Sequence, residues 1–442
     1  MALNKGLGSR AATSLPLCDP NSGLWLRAAR AGPDIEHLAA FNTLVHRDEG
    51  IAAYTRWKLG GGHPAARSSD ALIIEDPTGQ LVSSLCWIPQ TWVYGGISLP
   101  VGEVALVGTH PDYRKRGLMS ALMCRVEAGL QKRGCALACI EGIPGFYRQF
   151  GYEYAVPLGS CAKLTLDRVS QGAVPPHPSW VIRPFRIDQD LPTVMSLYNM
   201  SSGILDITSQ RDEALWLYQE SAPPGVPDRQ ETYIIEDAGT TVGYFRLRKN
   251  MWGPWLEFSE ASAGESEAAG DSGDAYRAML HFARGLAVQR GYVGLCFALP
   301  LDHLLLSLVH TLGAEVERQY AWQIKVLDPV SLLKRIAPVL EDRLARSPLG
   351  GFDVEMDVNL MSRLLHVAFE GGRLTKVAME GREARPRVEL RLPERQLTQL
   401  MLGYRDCRTL MDCSLDVWVH PEIRELVDIV FPTCRAFIYT AS

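Results

Sequence analysis

The chain has 442 residues, with 45 Lys and Arg against 50 Asp and Glu, and a formal net charge of −5 at pH 7. This length exceeds one ordinary hydrophobic core and predicts two or three domains. Because neither sign of charge dominates, the composition excludes proteins that wrap nucleic acid or coat a membrane surface, so neither is expected as a partner.

Residues 24–172 alternate between helical and strand patterns. Apolar residues at 35, 38, 41 and 44 predict a helix over 34–44. Further elements follow in chain order: strands at 71–76 and 81–89, a strand at 102–110, a helix at 118–133 and a buried strand at 135–143. The last strand, helix and strand predict a right-handed crossover between parallel strands.

A second segment, 173–327, repeats this order after the proline-rich stretch VPPHPSW. Strands at 232–237 and 242–250, a helix at 276–290 and a strand at 291–299 mirror the first segment, which indicates an internal duplication. Residues 328–442 show mixed helical and strand patterns and are interpreted as an α+β domain. The whole chain is therefore predicted to be of the α/β (α+β) class.

Ten cysteines are spread along the chain without a CxxC pair. They are interpreted as reduced thiols, which is typical of a cytoplasmic protein. No cysteine and histidine spacing suits zinc, so no metal cofactor is expected. Residues 1–23 lack the apolar run of a signal peptide and are interpreted as a flexible arm, and no apolar run approaches the about 18 residues of a membrane span.

The stretch HPDYRKRGLMSALM, residues 110–123, places basic residues directly before a helix. The first turn of a helix presents unpaired N–H groups and a positive dipole end, which together bind a diphosphate. Gly117 allows close approach of the backbone, and Arg114, Lys115 and Arg116 add charge. The alternative is a solvated basic loop that only caps the helix.

The same stretch resembles motif A of the GNAT acyltransferase superfamily, through Val107, Pro111, Tyr113, Arg114, Gly117, Leu118 and Leu122. The resemblance implies that acetyl-CoA is the co-substrate and that residues 114–119 hold its pyrophosphate. Met119 stands where a small residue is usual in the motif. By the same resemblance, the backbone of Leu106, Val107 and Gly108 pairs with the pantetheine arm, and Gly142 and Ile143 also contact the cofactor.

The stretch GFYRQFGYEYA, residues 145–155, resembles motif B of that superfamily. The resemblance implies that Tyr147 is the general acid, because a phenol stays protonated at neutral pH and can supply a proton to the departing thiolate. The alternative role for Tyr147 is a core tyrosine capped by one hydrogen bond.

The three-part layout resembles the enhanced-intracellular-survival type of N-acetyltransferase. That resemblance implies tandem GNAT domains with mixed central sheets, catalytic at 24–172 and degenerate at 173–327, a sterol-carrier-protein-like domain at 328–442, and a homo-oligomer. It also implies that the C-terminal carboxylate, here on Ser442, is the catalytic base. Glu103 and Glu141 are the alternative bases.

The second copy reads AGESEAAGDSGD where the first has its basic loop, and this acidic stretch would repel a diphosphate. The second copy is therefore expected to shape the acceptor cleft. Candidate acceptors are a small amine, an aminoglycoside-like polyamine or a lysine, attacked directly in a ternary complex. The candidate lining residues are Asp48, Glu49, Glu260, Trp57, Trp87 and Trp92. The alternative function is a carrier of an apolar ligand in the last domain, with the GNAT domains as scaffold.

Overall fold

The computed structural model describes residues 15–16, 23–159, 161–172, 180–250, 253–264, 272–316, 320–381 and 388–440. Most of the predicted flexible arm at 1–23 lies outside the described residues, and so does Ser442.

The first part of the chain forms the predicted strands and helices, but β4 and β5 are longer than predicted, β6 is shorter, and α2 was not predicted. α3 carries its buried residues Leu118, Leu122, Val126 and Leu130 on one face, as the four-residue spacing predicts. The elements are β1 (Leu15–Pro16), β2 (Trp25–Ala28), α1 (Pro33–His46), α2 (Gly50–Leu59), β3 (Ala71–Glu75), β4 (Leu81–Tyr94), β5 (Ile97–Thr109), α3 (Leu118–Lys132), β6 (Leu137–Ile140) and β7 (Glu153–Pro157).

The middle of the chain repeats this pattern. Its elements are β8 (Ala162–Thr165), α4 (Leu166–Gly172), β9 (Trp180–Pro184), α5 (Ile187–Ser202), β10 (Ile207–Ser209), α6 (Glu213–Glu220), β11 (Glu231–Asp237), β12 (Thr240–Lys249), β13 (Trp255–Ala263), α7 (Ser272–Gln289), β14 (Gly294–Phe297), α8 (Leu304–Thr311), β15 (Glu315–Val316) and β16 (Ala321–Val326).

The last part begins at Asp328, whose carboxylate caps the first turn of α9 by accepting from Val330 and Ser331. Its elements are α9 (Pro329–Ala345), β17 (Val354–Asn359), β18 (Leu364–Glu370), β19 (Arg373–Glu380), β20 (Glu389–Arg391), α10 (Glu394–Met401), α11 (Cys407–Cys413), β21 (Trp418–Val419) and α12 (Arg424–Val430).

Three sheets organise these elements. The first has the order β1-β2-β3-β4-β5-β6-β16-β7, with β10 also paired to β4; the second has the order β15-β8-β14-β13-β12-β11-β9; the third has the order β19-β18-β17-β20-β21. The β5–β6 and β13–β14 pairs are parallel, as the predicted crossovers require, and most other pairs in the first two sheets are antiparallel. The predicted α/β class with mixed sheets is confirmed.

The first two sheets exchange strands. β8 follows the first sheet in the chain but pairs with β14 of the second, and β16 follows the second sheet but lies between β6 and β7 of the first. β16 therefore completes the first sheet, although it begins more than 160 positions after the end of β7 in the chain. The predicted division at 24–172, 173–327 and 328–442 stays a prediction.

The last part packs directly on the first sheet. One apolar cluster joins Trp92 and Val101 of that sheet to Ile336 of α9 and Leu365 of β18. Helix α9 contacts both β5 and β19 and so links the first sheet to the third. Among the described residues, no helix combines the length and apolar character that crossing a bilayer requires.

Candidate active site

The parallel strands β5 and β6 separate in the middle of the first sheet. They pair from Val101 opposite Leu137 to Glu103 opposite Cys139, and no pair follows in the described part of either strand. The edge of β5 beyond Glu103 is thereby left open, as the resemblance predicts. An open edge can accept an extended ligand as if it were another strand.

A β-bulge on the other side of β5 accompanies this separation. Ser84 of β4 faces Gly108, whereas Cys86 faces Ala105, so β5 contains one residue more than its partner. Leu106 within this bulge has φ 51°, a left-handed value that is costly for a leucine. Because a bulge bends and twists its strand, it turns the backbone of residues 106–108 away from β6.

The basic loop that follows β5 is held by a carboxylate beneath it. The Tyr113 hydroxyl donates to Asp76 at 2.8 Å, and hydrogen bonds from Thr78 and Tyr113 lower the pKa of Asp76 to about 2. The Arg116 guanidinium lies 5.1 Å from the centre of the Tyr113 ring. Arg114 and Lys115 are exposed beside it, so three cationic side chains surround the start of α3.

The start of α3 presents free backbone donors. Gly117 has φ 76° and is followed by Leu118, and among the described side chains none caps this helix. The first hydrogen bond of the helix runs from Ala121 N to Gly117 O at 3.1 Å, so the N–H groups of residues 118–120 precede it. Together with the three cations, this geometry favours an anion site over a simple helix cap.

Tyr147 lies in a short 3₁₀ helix, Phe146–Phe150, and is 5% exposed. Its ring lies against Gly142, where any added Cβ would collide with the ring. Burial raises the pKa of Tyr147 to about 12. Tyr147 shares a core cluster with Leu118 and Leu122 of α3, so the two predicted motifs lie on the same side of the first sheet.

Two carboxylates lie at the separation of the strands. Glu103 is the last paired residue of β5, and Glu141 follows β6, two residues after Cys139. Because Val104 packs with α3 and side chains alternate along a strand, Glu103 points to the opposite face. The open edge therefore separates a side with the basic loop and phenol from a side with carboxylates.

Glu103 is buried, and Gln90 Nε2 donates to its carboxylate. Burial raises the pKa of Glu103 to about 7, with Asp228 and Glu141 acting in the same direction and Lys58 opposing them. A carboxylate with a pKa near 7 exchanges protons readily at neutral pH, which suits a general base. Glu141 is exposed, and desolvation by the surrounding protein raises its pKa. We name the region that Glu103 and Glu141 border the cleft.

An aromatic pair lies near these carboxylates, and of its two members only Trp57 was a predicted lining residue. Trp57 of α2 and Tyr218 of α6 stack with ring centres 4.4 Å apart and planes 5° apart. The buried Lys58 ammonium lies 4.4 Å from the centre of the Trp57 ring and interacts with Glu103 and Asp228. These residues come from distant segments, and only the aromatic character of Trp57 was a signal in the sequence.

Most of the other predicted acceptor residues lie elsewhere. Trp87 and Trp92 belong to two separate buried cores. Glu260 is enclosed in a buried ion network, where Arg211 donates at 2.7 Å and Arg246 at 3.0 Å. Asp48 and Glu49 are exposed immediately before α2. Of the predicted lining residues, Trp57 is thus the one that lies beside Lys58 and near Glu103.

The C-terminal tail runs toward the same cleft. Ala436 forms a parallel bridge with Ile207, and the Thr440 carbonyl accepts from Gln219 Nε2 at 2.9 Å. Gln230 Nε2 donates to the Thr440 hydroxyl at 3.1 Å. Gln219 follows Tyr218, and Gln230 is two residues from Asp228, so Thr440 is held beside the cleft wall. The position of Ser442 lies beyond the described residues.

The second sheet has an equivalent edge on β13, but there a side chain occupies it. The parallel pair β13–β14 ends after Phe258 and Phe297, as the pair β5–β6 ends in the first sheet. His303 Nδ1 accepts from Leu305 N, so its Nε2 carries the proton and donates to the Ala261 carbonyl at 2.9 Å. The acidic stretch 263–274, predicted to repel a diphosphate, lies largely outside the described residues.

Comparisons with known proteins agree with this geometry. Residues 43–155 match the family model described as acetyltransferase (GNAT) domain. The fold resembles a conserved protein of unknown function from Enterococcus faecalis described as a probable N-acyltransferase, with TM-score 0.71 and 16% identity over 95% of this chain and 100% of that one. Eis1 from Mycobacterium abscessus gives TM-score 0.61 and 17% identity over 95% of this chain and 100% of that one.

A third solved structure carries a bound acyl-CoA. N-myristoyltransferase from Saccharomyces cerevisiae with bound myristoyl-CoA gives TM-score 0.52 and 13% identity over 71% of this chain and 84% of that one. At these identities the three likenesses show a shared fold. Among the described residues of this chain, no group of three or more His, Cys, Asp or Glu side chains is placed to hold a metal ion.

Proposed function

We propose that this chain, an acyltransferase that carries a GNAT-family acetyltransferase domain, transfers an acetyl group from acetyl-CoA to a primary amine. The observation that carries the proposal is the open edge of β5. It lies between the uncapped start of α3 and the buried phenol of Tyr147 on one side and the carboxylates Glu103 and Glu141 on the other. A thioester placed along this edge would be accessible from both sides.

The cofactor end of the site suits a nucleotide diphosphate. The N–H groups at the start of α3 and the side chains of Arg114, Lys115 and Arg116 supply its positive potential, and Met119 packs against the core. The backbone of residues 106–108 would pair with the pantetheine arm, and Gly142 and Ile143 would form the facing side. Ile143 is 63% exposed, which leaves it accessible to a ligand.

The transfer is a direct attack in a ternary complex. The amine nitrogen attacks the thioester carbon, and a backbone N–H from the bulge at Leu106–Gly108 stabilises the oxyanion. The C–N bond forms, the C–S bond breaks, the amine proton passes to Glu103, and the CoA thiolate takes the proton of Tyr147. Glu103 then releases its proton to solvent and Tyr147 takes one up from solvent, so the enzyme is regenerated.

The acceptor cleft suits a cationic amine. Four carboxylates, those of Glu103, Glu141, Asp228 and Glu257, face two cations, Lys58 and Arg248, and Arg248 is paired with Glu257 at 2.6 Å. The surplus of negative charge attracts an ammonium group, and the half-buried Trp57 ring beside it can contact that group. Aminoglycoside-like polyamines and lysine side chains fit this description, and a thiol-release assay with a panel of both selects between them.

Acetyl-CoA is expected to raise the melting temperature of the protein by several degrees and to lose this effect in Gly117→Glu. The new carboxylate would repel the diphosphate, and its Cβ meets no atom within 4 Å. Gly134→Glu is a matched control at the other end of α3, because Gly134 has the same φ of 76° and equally open surroundings. Thermal-shift measurements with acetyl-CoA test all three proteins.

The outcome of this experiment also tests the rival function. Gly134→Glu is expected to lose stability as Gly117→Glu does, because both introduce a side chain at positive φ, but to keep the response to acetyl-CoA. A wild type that ignores acetyl-CoA and is stabilised by a fatty acid or sterol would contradict the enzyme and support the apolar carrier. Against the carrier, Leu365, Val367 and Phe369 of β18, which could otherwise wall an apolar cavity, are packed in the apolar cluster that joins the last part of the chain to the first sheet.

Removal of Ala441 and Ser442 alone is expected to leave turnover within about threefold of the full chain, because Glu103 supplies the base. The deletion keeps the hydrogen bonds that hold Thr440. The rival base is the terminal carboxylate of Ser442, since two residues extend about 7 Å beyond Thr440 and could enter the cleft. Steady-state thiol release measures the effect, and a loss of about 100-fold would assign the base to Ser442.

Three further properties belong to the same proposal. The last part of the chain is proposed to be sterol-carrier-protein-like, because it combines a five-stranded sheet with helices. A cytoplasmic location and a homo-oligomer are proposed on the resemblance to the enhanced-intracellular-survival type. Sedimentation of the purified chain measures the assembly directly.

A further inference from the structure

The loop that joins β6 to Tyr147 is held by residues from a distant part of the chain. The Gly142 carbonyl accepts from the Tyr320 hydroxyl and, at 3.0 Å, from Gln323 Nε2. The same amide lies 3.4 Å from the Ile143 carbonyl and 3.2 Å from the Tyr320 hydroxyl oxygen. We name this arrangement of Tyr320 and Gln323 on the Gly142 carbonyl the carbonyl clamp.

The clamp is delivered by the exchanged strand β16. Gln323 pairs with Ile140 of β6 on one side and with Tyr154 of β7 on the other, so its side chain emerges where β6 ends. Gln323 is 0% exposed. A buried amide is costly unless it forms hydrogen bonds, and an apolar side chain would fill the position without that cost. The donors of Gln323 therefore serve the loop rather than the packing of the strand.

The clamp holds Gly142, against which the Tyr147 ring packs. The ring of Tyr147 lies against Gly142 so closely that the glycine admits no side chain. On the far side of the loop, Gly145 N donates to the Tyr154 hydroxyl at 3.2 Å, and the Tyr154 ring meets the Tyr320 ring edge to face at 5.6 Å. The loop is thus fixed on both sides of the turn that carries the phenol.

Glu141 is held by the same arrangement because it immediately precedes Gly142. A shift of the Gly142 carbonyl would move the phenol on one side of the sheet and this carboxylate on the other. A displacement of about 1 Å in a reacting group costs up to about 100-fold in rate, because proton transfer depends on short donor–acceptor distances.

We propose that Tyr320 and Gln323 are positioning residues of the transfer reaction, which hold the Gly142 carbonyl and thereby place Tyr147 against the open edge of β5. The proposal rests on the proposed function. It makes the active site of the first sheet dependent on a strand that follows the second sheet in the chain. The second copy would then contribute to catalysis without a cofactor site of its own.

The test uses Tyr320→Phe, Gln323→Met and their combination, which remove the donors and keep the size of the side chains. We expect kcat to fall about tenfold in each single variant and further in the combination, with the KM for acetyl-CoA within about twofold. Tyr233→Phe is the matched control, because its hydroxyl donates to Glu231 at 2.7 Å in the second sheet. Thiol release is measured with the amine that gives the highest rate in the panel.

Activity measured in a Tyr147→Phe background distinguishes a positioning role of the clamp from a purely structural one. If the clamp acts through Tyr147, adding Tyr320→Phe to Tyr147→Phe should cost little further activity, since interacting residues are not additive. The full tenfold loss in that background would overturn the proposal. So would an unchanged kcat in the combined clamp variant.

Hydrogen exchange of the peptide that covers residues 141–150 gives a readout without turnover. We expect faster exchange in the combined clamp variant than in Tyr233→Phe, because the loop loses its anchor. Unchanged exchange would overturn the clamp even if kcat fell. A wild type that releases no thiol with any amine of the panel would instead overturn the proposed function, and with it the catalytic meaning of the clamp, whatever the exchange shows.

Discussion

Replacement of Tyr147 by phenylalanine is expected to lower kcat by about 100-fold, while the KM for acetyl-CoA stays within about twofold. A positioned general acid contributes about 10²–10⁴-fold to a rate, and the lower end applies because a thiolate is a fair leaving group without help. Phenylalanine keeps the ring against Gly142 and in the core shared with Leu118, so the cofactor site is left intact.

Tyr152→Phe is the matched control for this prediction. Tyr152 is 0% exposed in the same core, and its hydroxyl has no hydrogen-bond partner among the described residues. Loss of that hydroxyl should leave kcat unchanged. Pre-steady-state thiol release distinguishes the chemical step from product release, and a Tyr147→Phe enzyme at full rate would remove the phenol from the mechanism.

The pH dependence of this effect follows from the burial of Tyr147. Because burial raises the pKa of Tyr147 to about 12, the phenol keeps its proton throughout an assay between pH 6 and about 10. The ratio of wild-type to Tyr147→Phe rates should therefore show no alkaline decline in that range. A ratio that falls toward 1 above pH 9 would show that the phenol titrates earlier than its surroundings allow.

The strands and helices of the first sheet could be predicted because their signals are local. The helix at 118–133 carries an apolar residue at every fourth position, and the structure forms it as Leu118–Lys132. The loop before it was also readable, since basic residues, a glycine and an apolar run stand in direct succession. Local patterns thus located the basic loop and the uncapped start of α3, where the cofactor is proposed to bind.

The proposed acceptor cleft could not be predicted because tertiary contacts assemble it. Lys58 lies more than 150 positions before Tyr218 and Asp228 in the chain. None of the three belongs to a sequence pattern that distinguishes it from a surface residue. Trp87 and Trp92 seemed equally good as lining residues in the sequence, but their neighbours bury them in two cores. Burial by distant segments, rather than residue type, decides which aromatic side chains face the cleft.

The strand exchange was hidden for a related reason. β8 and β16 are short and follow each sheet directly, so the simplest expectation pairs each with its own segment. In the structure, β8 pairs with β14, and β16 lies between β6 and β7. Each of these strands fills the gap that the other strands of its sheet leave. The clamp on Gly142 is a consequence that only the exchanged arrangement reveals.

Replacement of Glu103 by glutamine is expected to lower kcat/KM about 100-fold at pH 8 and to remove the inflection near pH 7 from the pH profile. Glu103 accepts a proton only when it is ionised, and burial raises its pKa to about 7. The contribution of Glu103 to the wild-type rate should therefore rise about tenfold per pH unit below pH 7 and level off above it. The glutamine keeps a carbonyl oxygen that can still accept from Gln90 Nε2, so the fold around it is preserved.

Glu75→Gln is the control, because Glu75 lies in β3 of the same sheet and is paired with Arg27 at 2.6 Å, away from the open edge. The amine acceptor also titrates, but at its own higher pKa and equally in every variant, so the ratio of the wild-type to the Glu103→Gln profile cancels it. That ratio should rise through pH 7 and then stay constant. A constant ratio across the whole range would mean that Glu103 only shapes the cleft, and the base would then be Glu141 or the terminal carboxylate.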